Sequence, residues 1–208
     1  MRPGRQSLPI AVRARRWLRR FGPDPADGAR RAVADRLYRD LVKQARTPAF
    51  YRDLGVPDTP EGRFEMVALH VALVVRRLRA AGAPGSALGQ ELFDLMFADM
   101  DESLRHIGIG ELSVGKHIKR LAGNFYARLL ALDGALDAAP RAPLAEILRT
   151  NAYQGGAAPN LHQVDALASY LLAADAALRA QASEHLLAGQ VDWVPPEGAA
   201  RKTSGEDT

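Results

Sequence analysis

Residues 58–79, DTPEGRFEMVALHVALVVRRLR, hold the reading that decides the fold. Asp58-Thr59-Pro60 is a helix start, with a threonine oxygen able to accept a backbone N–H and a proline at the first helical position, where its missing N–H costs nothing. From Met66 to Val75 the chain is uncharged and apolar apart from His70, and Arg76 ends the run. Such a run is half the roughly 20 residues that a bilayer requires. It therefore predicts a helix inside the protein, apolar almost all round and wrapped by neighbours on several sides. His70 reads as a hydrogen-bonded core histidine. The next candidate run, Ala166 to Ala174, is shorter still, so no membrane span is expected.

Outward from this central helix the composition points the same way. The 208 residues include 37 Ala and 27 Leu against 22 Val, Ile and Thr together, a bias toward helix formers. The expected fold class is all-α, an irregular bundle of about six or seven helices with a basic N-terminal arm and a polar C-terminal tail. Before the central helix, Val33, Leu37, Leu41 and Ala45, flanked by Tyr38 and Val42, keep a helical period. Thr47-Pro48 opens a short turn of helix ending near Gly55, with Thr47 as its cap and Pro48 at the first helical position. After it, residues 81–85 read as a loop, and Ser86 caps a helix reaching about Ile107, where Gly108 stops it. A stripe of Ile118, Leu121, Phe125, Leu129, Leu132 and Leu136 defines a helix from Ser113. A short helix over Leu144 to Asn151 and a last long one from about Pro159 to Leu187 complete the body. The expected organisation is an arm over 1–25, a helical domain over 26–190 and a tail over 191–208.

Charge is unevenly spread. Seven arginines and no acid precede Asp24, leaving 21 basic against 24 acidic side chains in the rest, so the net charge of +4 comes from the arm. There Arg13, Arg15, Arg16, Arg19 and Arg20 alternate with Trp17 and other apolar residues, a pattern suited to an anionic membrane or a ribosomal RNA surface. A tail without a role and an Arg-rich transit peptide are the competing readings. One serine in 22 residues and no long apolar segment speak against a secretory signal. With no basic stripe downstream, DNA is not an expected partner. The absence of cysteine removes thiolate metal sites, iron-sulfur clusters and cysteine nucleophiles.

Catalytic patterns are weak. Gly110 to His117 matches G-x-x-x-x-G-K but has His117 in place of the magnesium-binding hydroxyl, and a helix precedes it where a strand is required. Ser113 reads as a helix cap. The five histidines show no metal-ligand spacing, so no metal or cofactor is expected. One polar patch stands out. Asp99 and Asp101 enter the apolar stretch around Phe97 and Met100, and Asp101 precedes Arg105 by four residues, the favourable orientation for a helical ion pair. A carboxylate turned toward the bundle needs a cation, which Lys116 or Arg128 on the next helix can supply.

Two stretches carry a family resemblance. One is Tyr51-Arg52-Asp53-Leu54-Gly55-Val56-Pro57-Asp58-Thr59 with Gly62-Arg63-Phe64-Glu65 and the central helix. The other is Asp99-Met100-Asp101, Leu104-Arg105, Gly108-Ile109-Gly110-Glu111-Leu112-Ser113-Val114-Gly115-Lys116 and Phe125-Tyr126-Ala127-Arg128. With Trp193-Val194-Pro195, the likeness spans roughly residues 35 to 195. The sequence resembles the ubiquinol-cytochrome c reductase assembly chaperones in their alphaproteobacterial and mitochondrial forms. It departs from them at Glu111, where Asp is expected, at His106-Ile107 and at Ala127.

The resemblance implies an all-helical chaperone without enzymatic activity, small-molecule substrate or cofactor. It would engage newly made cytochrome b during assembly of respiratory complex III. In mitochondria such proteins work with a small partner subunit near the ribosomal exit; whether this chain has one stays open. The implied location is cytoplasmic and peripheral to the inner membrane in a bacterium, or the mitochondrial matrix face in a eukaryote. Aromatic and methionine residues beside polar anchors are the expected contacts with a client. The candidates are Tyr51, Phe97, Met100, Phe125 and Tyr126 with Asp99, Asp101, Arg105, Lys116 and Arg128. Ordinary core packing is the competing role for the aromatics. Two further functions are kept, a basic-arm RNA- or ribosome-binding helical module and a nucleotide-dependent enzyme using Lys116.

Overall fold

The computed structural model describes residues 25–106, 127–138 and 140–196, and every regular element among them is helical. Their order is α1 (Pro25–Ala45), α2 (Pro48–Arg52), α3 (Pro60–Arg79), α4 (Gly82–His106), α5 (127–137), α6 (Ala142–Asn151), α7 (Leu161–Ala180) and α8 (Ser183–Leu187). The arm, with Arg13, Arg15, Arg16, Trp17, Arg19 and Arg20, lies outside the described residues. So do Lys116, Phe125 and Tyr126 with the G-x-x-x-x-G-K segment, and the Arg105 side chain.

α3 is the centre. Every residue from Met66 to Val75 is buried, His70 included, as the run of apolar residues predicts. Burying ten consecutive residues of one helix is possible only if neighbours close on all sides. α4 returns antiparallel beside α3 through a turn at Gly82, whose φ of +74° suits a residue without Cβ. α1 runs parallel to α4, since bonds join Arg30 to Glu91 and then Tyr38 to Asp99 as both helices advance. α7 runs parallel to α3, joined at His70–Tyr170 and again at Arg76–Asp175. α5 completes the ring, with Leu129, Leu132, Ala135 and Leu136 buried.

The caps explain most boundaries. Thr59 Oγ1 accepts from the Gly62 N–H at 3.2 Å, and α7 opens with a full capping box between Asn160 and Gln163. Thr47 differs from expectation. Its side chain makes no cap bond, and Pro48 with the Phe50 N–H to Thr47 O bond closes the turn instead. α4 starts at Gly82, four residues before Ser86, because Ala83-Pro84-Gly85 fit the first turn of a helix, where a proline N–H has no acceptor to lose. The expected last long helix is two. At Gln181 ψ is 142°, and the side chain exchanges bonds with Asp192 N and O while Arg77 takes the Leu178 and Gln181 carbonyls. No glycine or proline marks that break; long-range bonds outcompete the helix.

Val191, Trp193 and Val194, in the stretch read from sequence as the start of the tail, pack on the core. Gln44 donates to Val194 O at 3.1 Å, and the Trp193 ring meets His70 edge-on at 5.0 Å.

The α3–α4 turn is tight. A Cβ at Gly85 would stand 2.0 Å from Leu78 O, so the carbonyl closing α3 must move. Gly85→Ala is expected to lose about 1 to 3 kcal/mol in urea unfolding, the usual cost of overpacking. Gly134, exposed in α5 with nothing within 4 Å of its virtual Cβ, gives the opposite sign. Gly134→Ala is expected to gain about 0.5 to 1 kcal/mol.

Candidate functional site

Two features face outward on the surface that α3 supports. The first is a hollow of about 400 Å³ where the end of α1, α2 and the start of α3 meet, lined by Arg46, Pro48, Tyr51, Arg52, Asp58 and Arg63. Tyr51 is half-buried, and its hydroxyl donates to Ala45 O at 2.8 Å, so the ring is fixed with one face toward the hollow's arginines. The Arg63 guanidinium carbon lies 6.0 Å from the ring centroid, a cation–π distance. Arg63 Nε also donates to Asp58 at 2.6 Å, and Arg52 forks onto Asp53 with two bonds of 2.7 Å. Each of these carboxyls is held below its usual range by the hydrogen bond from its arginine.

The second is a narrow apolar cleft between α3, α5 and α6, with Ala68, Leu69, Ala72, Leu129, Leu132 and Leu148 on its walls. Its volume of about 20 Å³ holds little more than a water. Glu65 and Arg128 form an ion pair at its rim. Burial raises the Glu65 pKa, and Arg128 opposes that shift. Sequence reading offered Arg128 as a cation for the acids of α4. Its partner is instead Glu65 on α3, one residue before the buried run that begins at Met66.

One acid of the α4 patch is committed to α1. Asp99 Oδ2 accepts from the Tyr38 hydroxyl of α1 at 2.8 Å, so a neutral phenol satisfies it. Phe97 packs partly buried against the core, Met100 is 8 % exposed, and Asp101 is half-buried. The patch is therefore a seam between α1 and α4 with its polar edge outward. Arg46, Arg63, Asp58 and Glu65 were not among the client-contact candidates read from sequence. Their signal is faint, because isolated charges near helix ends usually mark solvated faces.

The polar groups inside the bundle join helices. Arg76 Nε bonds Asp175 at 3.1 Å, Nη1 bonds Asp133 at 3.2 Å and Nη2 bonds Asp137 at 2.5 Å, tying α3 to α5 and α7. Arg79 and Arg179 close the outer side of this network. The bond from Arg76, reinforced by Arg179, holds the Asp137 carboxyl down to about 2. His70 touches Met66 O through Nδ1 at 2.7 Å and the Tyr170 hydroxyl through Nε2 at 2.8 Å. Gln44 Nε2 also donates to that hydroxyl, at 3.0 Å, so Tyr170 gives its proton to His70 Nε2 and His70 is the neutral Nδ1–H tautomer. Among the described residues no three His, Asp or Glu side chains gather as a metal site, and no helix is long and apolar enough to cross a membrane.

Fold and surface together define an all-helical bundle: its buried polar groups lock helices to one another, and its open polar groups ring shallow surfaces. Comparison with known proteins supplies the family. The ubiquinol-cytochrome C chaperone family model matches residues 52–193, and the chain belongs to that family, one of chaperones and assembly factors and not of enzymes. The crystal structure of the Cbp3 homolog from Brucella abortus superimposes with a TM-score of 0.74 at 34% identity, covering 90% of this chain and 98% of that one. Ubiquinol-cytochrome c reductase complex assembly factor 1 of Mus musculus is 26% identical over 164 residues, 78% of this chain and 55% of its own length. The Homo sapiens protein of the same name is 23% identical over 164 residues, 78% of this chain and 54% of its own length. The chain spans about half the length of these curated relatives.

Proposed function

We propose that this protein is a non-enzymatic assembly chaperone that holds newly made cytochrome b and supports assembly of ubiquinol-cytochrome c reductase, respiratory complex III. The observation carrying the reading is the family match over residues 52–193, joined by relatives whose name is complex III assembly factor. The physical picture agrees. A rigid core centred on α3 holds surface features whose polar groups are partly committed and partly open, as contact with a second polypeptide requires.

Client contact is assigned to the Tyr51 hollow and to the α1–α4 seam with Phe97, Asp99 and Asp101. It extends to Arg128 at the cleft rim and to Arg105, Lys116, Phe125 and Tyr126 beyond the described residues. Met100 supports this face from within. The basic arm is assigned to an anionic surface, the inner membrane or the ribosome, which places the protein peripherally at that membrane. A small partner subunit is compatible with this arrangement.

The test is recovery of the tagged full chain from its own membranes after mild crosslinking. Cytochrome b is the expected companion, and its consistent absence rejects the client assignment. Removing residues 1–22 is expected to abolish most of the membrane-bound fraction, because seven cations at up to about 1 kcal/mol each near an anionic surface amount to several orders of magnitude in binding. Cytochrome b recovery should persist. Complete loss of function with that truncation would favour the RNA- or ribosome-binding module.

A further inference from the structure

Arg46 at the end of α1 and Arg63 in the first turn of α3 line the same hollow as Tyr51, and both hold unused donors. The Arg46 guanidinium makes no hydrogen bond or ion pair among the described residues. Arg63 spends only Nε, on Asp58, and leaves both terminal nitrogens unbonded there. Arg52, by contrast, is forked onto Asp53. Two guanidinium groups with open forks thus flank a fixed aromatic ring in a space large enough for a side chain and its neighbours.

We propose that this hollow is a docking site for a single carboxylate side chain on a partner polypeptide, with Arg46 as the primary cation, Arg63 as the second and the Tyr51 ring as the apolar wall. The mixed sign of the rim decides the class of partner. Asp53 and Asp58 stand beside the arginines, so a nucleic acid strand, with a phosphate at every nucleotide, meets repulsion at the same edge that attracts it. An isolated Glu or Asp brings a single negative charge to the open forks, and its neutral or basic neighbours meet Asp53 and Asp58 without repulsion. The assignment rests on the reading above that the body holds a polypeptide, and it names which kind of residue that polypeptide brings.

The test uses the full chain, isotopically labelled, titrated with acetyl-Gly-Glu-Gly-amide and separately with its Gln counterpart, while following the Tyr51 ring signals and the amides of residues 47–52. Saturable shifts with the Glu peptide and none with the Gln peptide are expected. Arg46→Gln should weaken the Glu peptide roughly five-fold, the equivalent of one exposed charge pair, with thermal stability unchanged because Arg46 holds nothing in the fold. Equal shifts from both peptides, unaltered affinity in Arg46→Gln, or larger Tyr51 shifts with an oligouridylate would each overturn the proposal. In cells, the Arg46→Glu, Arg63→Glu pair should lower ubiquinol-cytochrome c reductase activity with normal amounts of chaperone. If deleting the whole gene leaves that activity intact, the functional reading fails while the peptide result still judges the hollow itself.

Discussion

Arg76→Ala is expected to destabilise the protein by about 3 kcal/mol or more, the range found when one partner of a buried ion pair is removed. Asp175, with 9% side-chain exposure, and Asp133, with 25%, lose the cation that makes their burial tolerable, although Arg179 and Arg79 remain in reach. Asp137 matters less because its side chain is 59% exposed and water replaces the bond. Such a loss is a large part of the 5 to 15 kcal/mol that folded domains possess. Urea unfolding monitored by circular dichroism measures it, with an unchanged m-value separating lost stability from a changed denatured state. Arg179→Ala is the control, since its side chain is 51% exposed, and is expected to cost below about 1 kcal/mol. If both variants behave alike, the network does not hold α3, α5 and α7 together.

Acidification gives the second large effect. Burial pushes the His70 pKa down to about 4 from its ordinary 6.5. Between those values the unfolded chain binds a proton that the folded chain refuses, so stability falls as pH falls, by up to about 1.4 kcal/mol per pH unit. The structural reason is the tautomer. A protonated ring would donate from both nitrogens, and the Tyr170 hydroxyl, already accepting from Gln44, would lose the acceptor for its own proton. Asp94 opposes this trend. Its carboxyl is raised to about 6, chiefly by burial, so the folded state binds the proton more readily than the unfolded one and gains stability as pH falls through 6. His70→Gln retains hydrogen-bonding capacity without a titrating ring. Its unfolding free energy should fall less than the native protein's between pH 6.5 and 4.5, and parallel curves would remove His70 as the source.

The central helix was legible because its signal is local and strong. Thr59-Pro60 marks its start, ten residues without a charge mark its burial, and His70 among them has to be bonded. The same holds for the helical period of α1, whose predicted stripe of Leu37, Leu41 and Ala45 is buried. What sequence could not reveal depends on distant partners. The break at Gln181 exists because Asp192 and Arg77 compete for its backbone and side chain. Trp193 looked like the beginning of a tail because nothing nearby announces His70, 123 positions earlier in the chain. Asp175 sits in an apolar helix for the sake of Arg76, a pairing at a separation of 99 residues. For the site, the arginines and tyrosine of the hollow are ordinary surface residues one at a time. Only the meeting of α1, α2 and α3 makes them a group.

The account stands on this chain serving the assembly of complex III, and the most direct measurement is ubiquinol-cytochrome c reductase activity in membranes from cells lacking the gene, with the gene restored as control. A severe loss of activity accompanied by loss of assembled cytochrome b, and recovery on restoration, is the predicted result. Activity and assembled complex at the level of the parent cells would contradict it.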